Sequence, residues 1–406
     1  MDKFQKAYER LVAVCCLGVL AIILAAGLWP FHAPANQAAW LAGQNGIRLG
    51  HHGTLVSAGK FSSGTNANPS GSLELWVEPE IAAKKKTILT FDGSDHPGEP
   101  FSVLQDNDAL EIRRHNIDGA GTVHTGLCTA GGIFHKGQSV LLAITLSERQ
   151  TSVYANGAPA KTCAIAGSST NNLSGAVVVA NSDIVSNSWP GKILGLAMYQ
   201  DKLNADETAR DYESWTRNGR PQLAEAKAPA ALYLFDEQSG AIAHNQISAA
   251  TDLRIPAHYL ILHPMFLESP WREYRPRWSY WIDVAVNVAG FMPWGFCLAA
   301  YLYSVKGIAR PAAAIVLLGF VVSFIIEVSQ AWLPTRSSGC TDLITNTLGT
   351  ALGLTLYRLP ATQNLLHKIM GYFRLRQERN HLKLGFKSRH WDRDDELAAA
   401  RPGSKG

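Results

Sequence analysis

Between Asp283 and Gly353 the chain carries three apolar segments, each long enough to cross or nearly cross a bilayer, and each marked by polar residues at helical spacing. The first reads Asp283-Val-Ala-Val-Asn287 and continues to Phe291-Met-Pro293-Trp-Gly295. The second ends Ser323-Phe-Ile-Ile-Glu327-Val-Ser-Gln330. The third follows a loop containing Arg336 and runs from Asp342 through Asn346 and Gly349 to Gly353. A carboxylate at mid-bilayer costs roughly 2.5 kcal/mol or more, so it faces a partner or a cavity. Helical geometry puts residues i, i+3, i+4 and i+7 on one face. Asp283 and Asn287 therefore share a face, as do Ser323, Glu327 and Gln330. Asp342, Asn346, Gly349 and Gly353 form a third stripe, whose glycines permit close helix packing.

A further apolar run, Leu11 to Trp29, lies near the N-terminus behind Lys3, Lys6 and Arg10 and stops at Pro30. It reads as an uncleaved signal anchor, with a cleaved signal peptide as the competing reading because of Ala25, Ala26 and Gly27. The expected spans are thus about 11–29, 282–304, 311–332 and 341–357. The N-terminus, the Lys306–Arg310 connector and the tail after Tyr357 are all basic. Positive-inside orientation places them together in the cytoplasm and the long middle region outside it. Trp271-Arg-Glu-Tyr-Arg-Pro-Arg-Trp-Ser-Tyr-Trp281 has the mixture that a bilayer interface favours, and 258–281 reads as an interfacial connector.

The middle region is polar and Gly- and Asn-rich, with short runs of alternating character. Ser72–Val77, Thr87–Phe91, Ala109–Arg113, Val140–Leu146 and Thr151–Tyr154 read as strands, and Asn156-Gly157 as a tight hairpin turn. Many short strands indicate an antiparallel jelly-roll sandwich, so the fold class is an all-β sandwich joined to an α-helical transmembrane bundle of about four spans. Gly71-Ser-Leu-Glu-Leu-Trp-Val-Glu-Pro79, the Val140–Gly157 hairpin and Trp189–Tyr199 followed by Leu203–Glu207 resemble the laminin-G-like, concanavalin A-like jelly rolls over about 40–217. Ala231–Gly240 reads as a returning strand that closes the domain at about 257. Such folds bind sugars, proteins or nothing known.

Glu74 and Glu78 share a strand face, as glucanase carboxylates do, but the reading they carry is that of outward surface glutamates. Asp92, Asp95, Asp106 and Asp108 are weak calcium candidates by their oxygen ligands, the favoured reading being solvated loop carboxylates near turns. Cys128 and Cys163 pair as a disulfide if the domain lies outside the cytoplasm, and are otherwise two buried thiols. No His/Cys cluster suggests zinc, and nothing in a net charge of +4 points to nucleic acid.

The ordered set Asp283, Asn287, Pro293, Gly295, Glu327, Gln330, Arg336, Asp342, Asn346, Gly349 and Gly353 resembles the VanZ-like family over about 280–357. That family takes its name from a membrane protein associated with teicoplanin resistance. The resemblance implies a bacterial inner-membrane protein working at the cell envelope, in exopolysaccharide or cell-wall assembly or in glycopeptide resistance. Its partners would be membrane lipid, an envelope or lipid-linked glycan, or a membrane protein. With the topology above, the polar residues gather in the outer half of the bilayer, with Arg336 as their counter-charge. They form a structural network, a binding pocket or the site of an intramembrane enzyme; a protein-binding scaffold is the remaining alternative.

Overall fold

The computed structural model describes residues 3–61, 70–93, 101–117, 123–164, 173–222, 227–274, 276–305 and 310–372. Asp95, residues 306–309 and the tail after 372 lie outside these described residues. The chain divides into two compact units, one of strands (Pro30–Phe266 with Gln330–Ser337) and one of helices.

The strand unit contains, in chain order, β1 (Ala38–Trp40), β2 (Ile47–Leu49), β3 (Leu55–Phe61), β4 (Gly71–Pro79), β5 (Ala83–Asp92), β6 (Phe101–Asn107), β7 (Ala109–Ile117) and β8 (Val123–Ala130). There follow β9 (Val140–Leu146), β10 (Gln150–Ala155), β11 (Ala158–Ala164), β12 (Gly175–Val179), β13 (Gly191–Tyr199), β14 (Ala231–Tyr233), β15 (Ile242–Ala243) and β16 (Leu253–Arg254). One sheet has the order β1-β2-β13-β4-β9-β10-β11, with β14 added to β13; the other runs β15-β16-β3-β12-β5-β6-β7-β8. Paired strands are antiparallel, and their inward residues, among them Leu73, Leu75, Phe91, Phe101 and Ile144, form one buried core with Trp189 of the loop before β13. This is the expected sandwich, and β14 returns to it as expected.

β9 is buried at every position. Val140, Leu142, Ile144 and Leu146 enter the core between the sheets, while Leu141 packs outward with Trp215. The outward cover includes α2 (Ala205–Asn218), a helix of 14 residues. A capping box of Asn204 and Glu207 starts it, and Gly219 in the left-handed region ends it. Asn156 (φ 52°) and Gly157 (φ 77°) are both left-handed, which is the geometry of a type I′ hairpin.

The helical unit contains α1 (Lys3–Leu28), α3 (Pro270–Glu273), α4 (Trp278–Ser304), α5 (Pro311–Gln330) and α6 (Cys340–Arg358). Cys16 and Ile23 of α1 pack in one cluster with Phe291, Trp294 and Leu298 of α4, Ile315 and Ile326 of α5, and Leu354 of α6. The first apolar segment therefore completes the bundle, although the whole sandwich separates it from the others. Among the described residues three helices, α1, α4 and α5, are long and apolar enough to cross a membrane, rather than the four expected. The fourth, α6, spends much of its 19-residue length on Thr341, Asp342, Thr345, Asn346, Thr347, Thr350 and Thr355, which lowers its hydropathy.

Candidate functional site

The N-terminus of α6 organises the polar residues of the helical unit. A helix start leaves backbone N–H groups without intrahelical partners, and the residue before α6, Gly339, has no side chain to cap them. Other segments supply the acceptors. Glu327 Oε2 accepts from the Gly339 N–H at 2.8 Å, Glu273 Oε2 from the Thr341 N–H at 2.9 Å, and the Glu268 carbonyl from the Cys340 N–H at 2.9 Å. Asp342 in the first turn accepts from Asn287 Nδ2 of α4 at 2.7 Å. Glu273 and Asp283 lie within electrostatic range of Asp342. Backbone donors and the positive end of the α6 dipole offset the carboxylate charge here, and hydrogen bonds to charged groups contribute about 1.5–3 kcal/mol each.

One turn further along α6, Asn346 Nδ2 donates to Ser323 Oγ of α5 at 3.0 Å. Its Oδ1 is buried without a hydrogen-bond partner. Below that level the helices touch backbone to backbone. A side chain at Gly295 or Gly349 would collide with the Thr350 or Val288 carbonyl, and one at Gly353 with the Met292 carbonyl. Glycine at these positions lets α4 and α6 approach closely enough to bring Asn287 onto Asp342. Pro293, one turn from Ala289 in α4, is itself exposed.

The structure thus brings together Asp283, Asn287, Glu327, Asp342 and Asn346. Gln330 closes α5 and is buried; Arg336 is exposed in the turn after it. Two members of the site escaped the sequence reading. Glu273 was taken into the interfacial Trp/Arg/Tyr mixture, and Ser338, a partner of Glu327, lies in a loop. A carboxylate just ahead of an apolar helix was the available signal for Glu273.

In the strand unit Cys128 of β8 and Cys163 of β11 form a disulfide, with Cα atoms 5.6 Å apart. The bond joins the last strands of the two sheets. The calcium candidates separate. Phe91, beside Asp92, pairs with Phe101, whereas Asn107, beside Asp106 and Asp108, pairs with Ala83 at the other end of β5. Asp92 bonds His263 Nε2 at 3.0 Å, and Asp108 accepts from the Gly132 N–H at 3.1 Å. Among the described residues no group of three or more His, Cys, Asp or Glu side chains is arranged to hold a metal.

Glu74 corrects a sequence expectation. It is fully buried beneath α2 rather than outward on the surface, accepting from Trp215 Nε1 at 3.0 Å and Tyr199 Oη at 3.1 Å. Asp211, one turn before Trp215, lies close enough for the two carboxyls to share a proton. Burial, and then the Asp211 charge, hold Glu74 well above the usual carboxylate range, and burial raises Asp211 as well.

Comparison with known families agrees with both halves. Residues 50–209 match the concanavalin A-like lectin/glucanases superfamily, and residues 230–361 match VanZ/LLP1. This chain joins a laminin-G-like sandwich to a VanZ-like membrane region. The VanZ/LLP1 match begins at β14, well before α4, so it takes in the end of the sandwich and the connector as well as the helices. Among curated proteins none matches the chain. Similar solved structures include the receptor-binding domain of a botulinum neurotoxin C/D mosaic serotype, at 12% identity, 46% of this chain, 48% of that chain and a TM-score of 0.35. Another is the Ruminococcus gnavus IT-sialidase CBM40 bound to α2,3-sialyllactose, at 16% identity, 41% of this chain, 95% of that chain and a TM-score of 0.32. The chain spans about half the length of the first.

Proposed function

We propose that this VanZ-like protein holds a glycan-binding sandwich at the outer face of a bacterial inner membrane, in an accessory role in cell-envelope or exopolysaccharide assembly or in glycopeptide resistance. The observation that carries the reading is the joining, in one polypeptide, of a lectin-like sandwich closed by Cys128–Cys163 to membrane-spanning helices. A structural disulfide fits an oxidising compartment. The basic N-terminus and tail then lie in the cytoplasm. Four crossings are needed for this topology, and α6, at about 28 Å by helical rise, serves as the fourth by turning its polar face inward. The full-length protein in lipid nanodiscs, applied to an array of envelope polysaccharides, tests the reading. Binding to at least one polysaccharide class supports it, and capture of a protein partner through the sandwich with no glycan binding favours a scaffold.

The gathering of Glu273, Glu327 and Asp342 at one helix N-terminus favours a second reading, an intramembrane enzyme acting on a polyprenyl-linked glycan. Glu327 or Asp342 would be the general acid or base, and Arg336 would hold the phosphate. Glu327→Gln and Asp342→Asn variants that lose function at normal abundance support a working site. Loss of the protein itself supports a structural network.

A further inference from the structure

The sandwich has two lateral edges, and they are built differently. At one, β8 and β11 are tied by the disulfide. At the other lie β1 and β2 of one sheet and the two-residue strands β15 and β16 of the second. Trp40 Nε1 bonds the Gly240 carbonyl at 2.8 Å across this second edge.

The segment that enters the sandwich after α1 and the segment that leaves it before α3 both lie beside this second edge. Ala35 pairs with His258, the Tyr259 N–H bonds the Pro34 carbonyl, and Asn36 bonds the Pro256 carbonyl. Tyr259 is buried and donates to Asn181 Oδ1 at 2.7 Å, so the departing chain is fixed to the sandwich. Pro34 is six residues beyond Leu28, the last residue of α1. Six residues reach about 20 Å at most. If α1 crosses a bilayer, chain length alone holds this edge close to its surface.

The same edge is apolar. Val56, Ala241, Ile242, Pro256, Leu260 and Leu262 line a groove of about 420 Å³, with Arg254 also lining it. Phe31, Val185, Ile242, Ile247 and Phe266 are exposed in the entering and leaving segments, the edge itself or the loop beside Tyr259. Elsewhere in residues 30–266 the large exposed apolar side chains, among the described residues, are Ile81 and Leu127. Scattered single apolar residues on a surface need no explanation, but a concentration beside a groove does.

We infer that this edge of the sandwich is a lipid-contacting surface, its groove taking part of a phospholipid acyl chain. The exposed Arg254 and His258 then lie where a phosphate headgroup would be. Interfacial segments bury their apolar face about 5–10 Å into the headgroup boundary, and partial burial of Leu260, Leu262 and Phe266 at that depth removes them from water. Lipid also covers the short edge strands, which otherwise expose unpaired backbone groups.

The inference rests on α1 and α5 crossing a bilayer, and the test separates the two ideas. A photo-crosslinking amino acid is placed in turn at Leu262, at Leu317 (exposed on α5) and at Lys161 (exposed on β11, at the disulfide edge) of the full-length protein. Each variant is irradiated in nanodiscs of phosphatidylethanolamine and phosphatidylglycerol, and adducts are read by intact mass. Phospholipid adducts at 262 comparable to those at 317, with background at 161, are the expected result. Adducts at 317 without adducts at 262, equal yields at 262 and 161, or a protein adduct at 262 would overturn the inference while leaving the membrane reading intact. An absence of lipid adducts at 317 would remove both.

Discussion

The two units bury carboxyl groups in contrasting ways. In the sandwich, Glu74 sits under α2 against an indole N–H and a phenol, with a second carboxyl, Asp211, beside it. In the helical unit, Glu327 and Glu273 meet backbone N–H groups at the start of α6, and Asp342 meets the Asn287 amide. The first arrangement pins a helix onto a sheet through the side-chain hydrogen bonds that Trp215 and Tyr199 give to Glu74. The second gathers acidic groups from α3, α5 and α6 at one helix terminus, with an unpartnered Asn346 oxygen one turn along α6. Each site keeps one buried oxygen without a hydrogen-bond partner, Glu74 Oε1 in the first and Asn346 Oδ1 in the second.

The contrast extends to packing. The sandwich core is made of interlocking apolar side chains, whereas α4 and α6 meet through glycines at 295, 349 and 353. Gly295→Leu should therefore have the largest effect of any single change. Its side chain would meet backbone that cannot move aside, at a cost beyond about 4 kcal/mol. Circular dichroism in detergent should show the helices disassembled, while limited proteolysis still yields an intact sandwich. Loss of both units together would break the separation between them.

Next comes the disulfide, which closes a loop with a sequence separation of 35. Loop-closure entropy gives it about 4 kcal/mol, so Cys163→Ala should lower the sandwich unfolding midpoint sharply and leave helix unfolding unchanged. Glu327→Leu should destabilise the helical unit by about 2–3 kcal/mol, because it strands the Gly339 N–H. Thermal unfolding in detergent measures it, and a change below about 0.5 kcal/mol, the range of ordinary surface substitutions, would show that the N–H has found another acceptor.

The smallest expected effect is on pH dependence. Glu74 and Asp211 are raised in the folded state, so the folded protein holds protons that the unfolded chain has lost above about pH 4. Their contribution is fully present below that point and is lost as pH rises through the raised folded values. The sandwich should melt at lower temperature in mildly alkaline than in mildly acidic buffer. Glu74→Gln should flatten that slope. A midpoint that instead rises with pH would contradict the shared proton.

What was legible in the sequence depended on whether one element carried the signal. Strands such as Val140–Leu146, the Asn156-Gly157 turn and the polar stripes on α4, α5 and α6 are local patterns, and each appears in the structure. Glu74 was misread because β4 shows only alternation; the cover on its second face comes from α2, about 130 residues later. Glu273 was missed because its partner, the Thr341 N–H, belongs to another helix and leaves no mark in the local sequence. The short apolar stretch around Tyr259 reads as a membrane-surface segment, and its anchoring to the sandwich through Asn181 and Pro34 depends on partners far away in the chain that leave no mark in the local sequence.

The most direct test of the central claim is glycan binding by the intact protein. Full-length protein in nanodiscs should bind at least one envelope polysaccharide saturably, and Glu327→Gln should bind it equally well, since its side chain belongs to the helical unit. Failure to bind any polysaccharide, with the Cys128–Cys163 bond verified and the sandwich folded, would contradict the account.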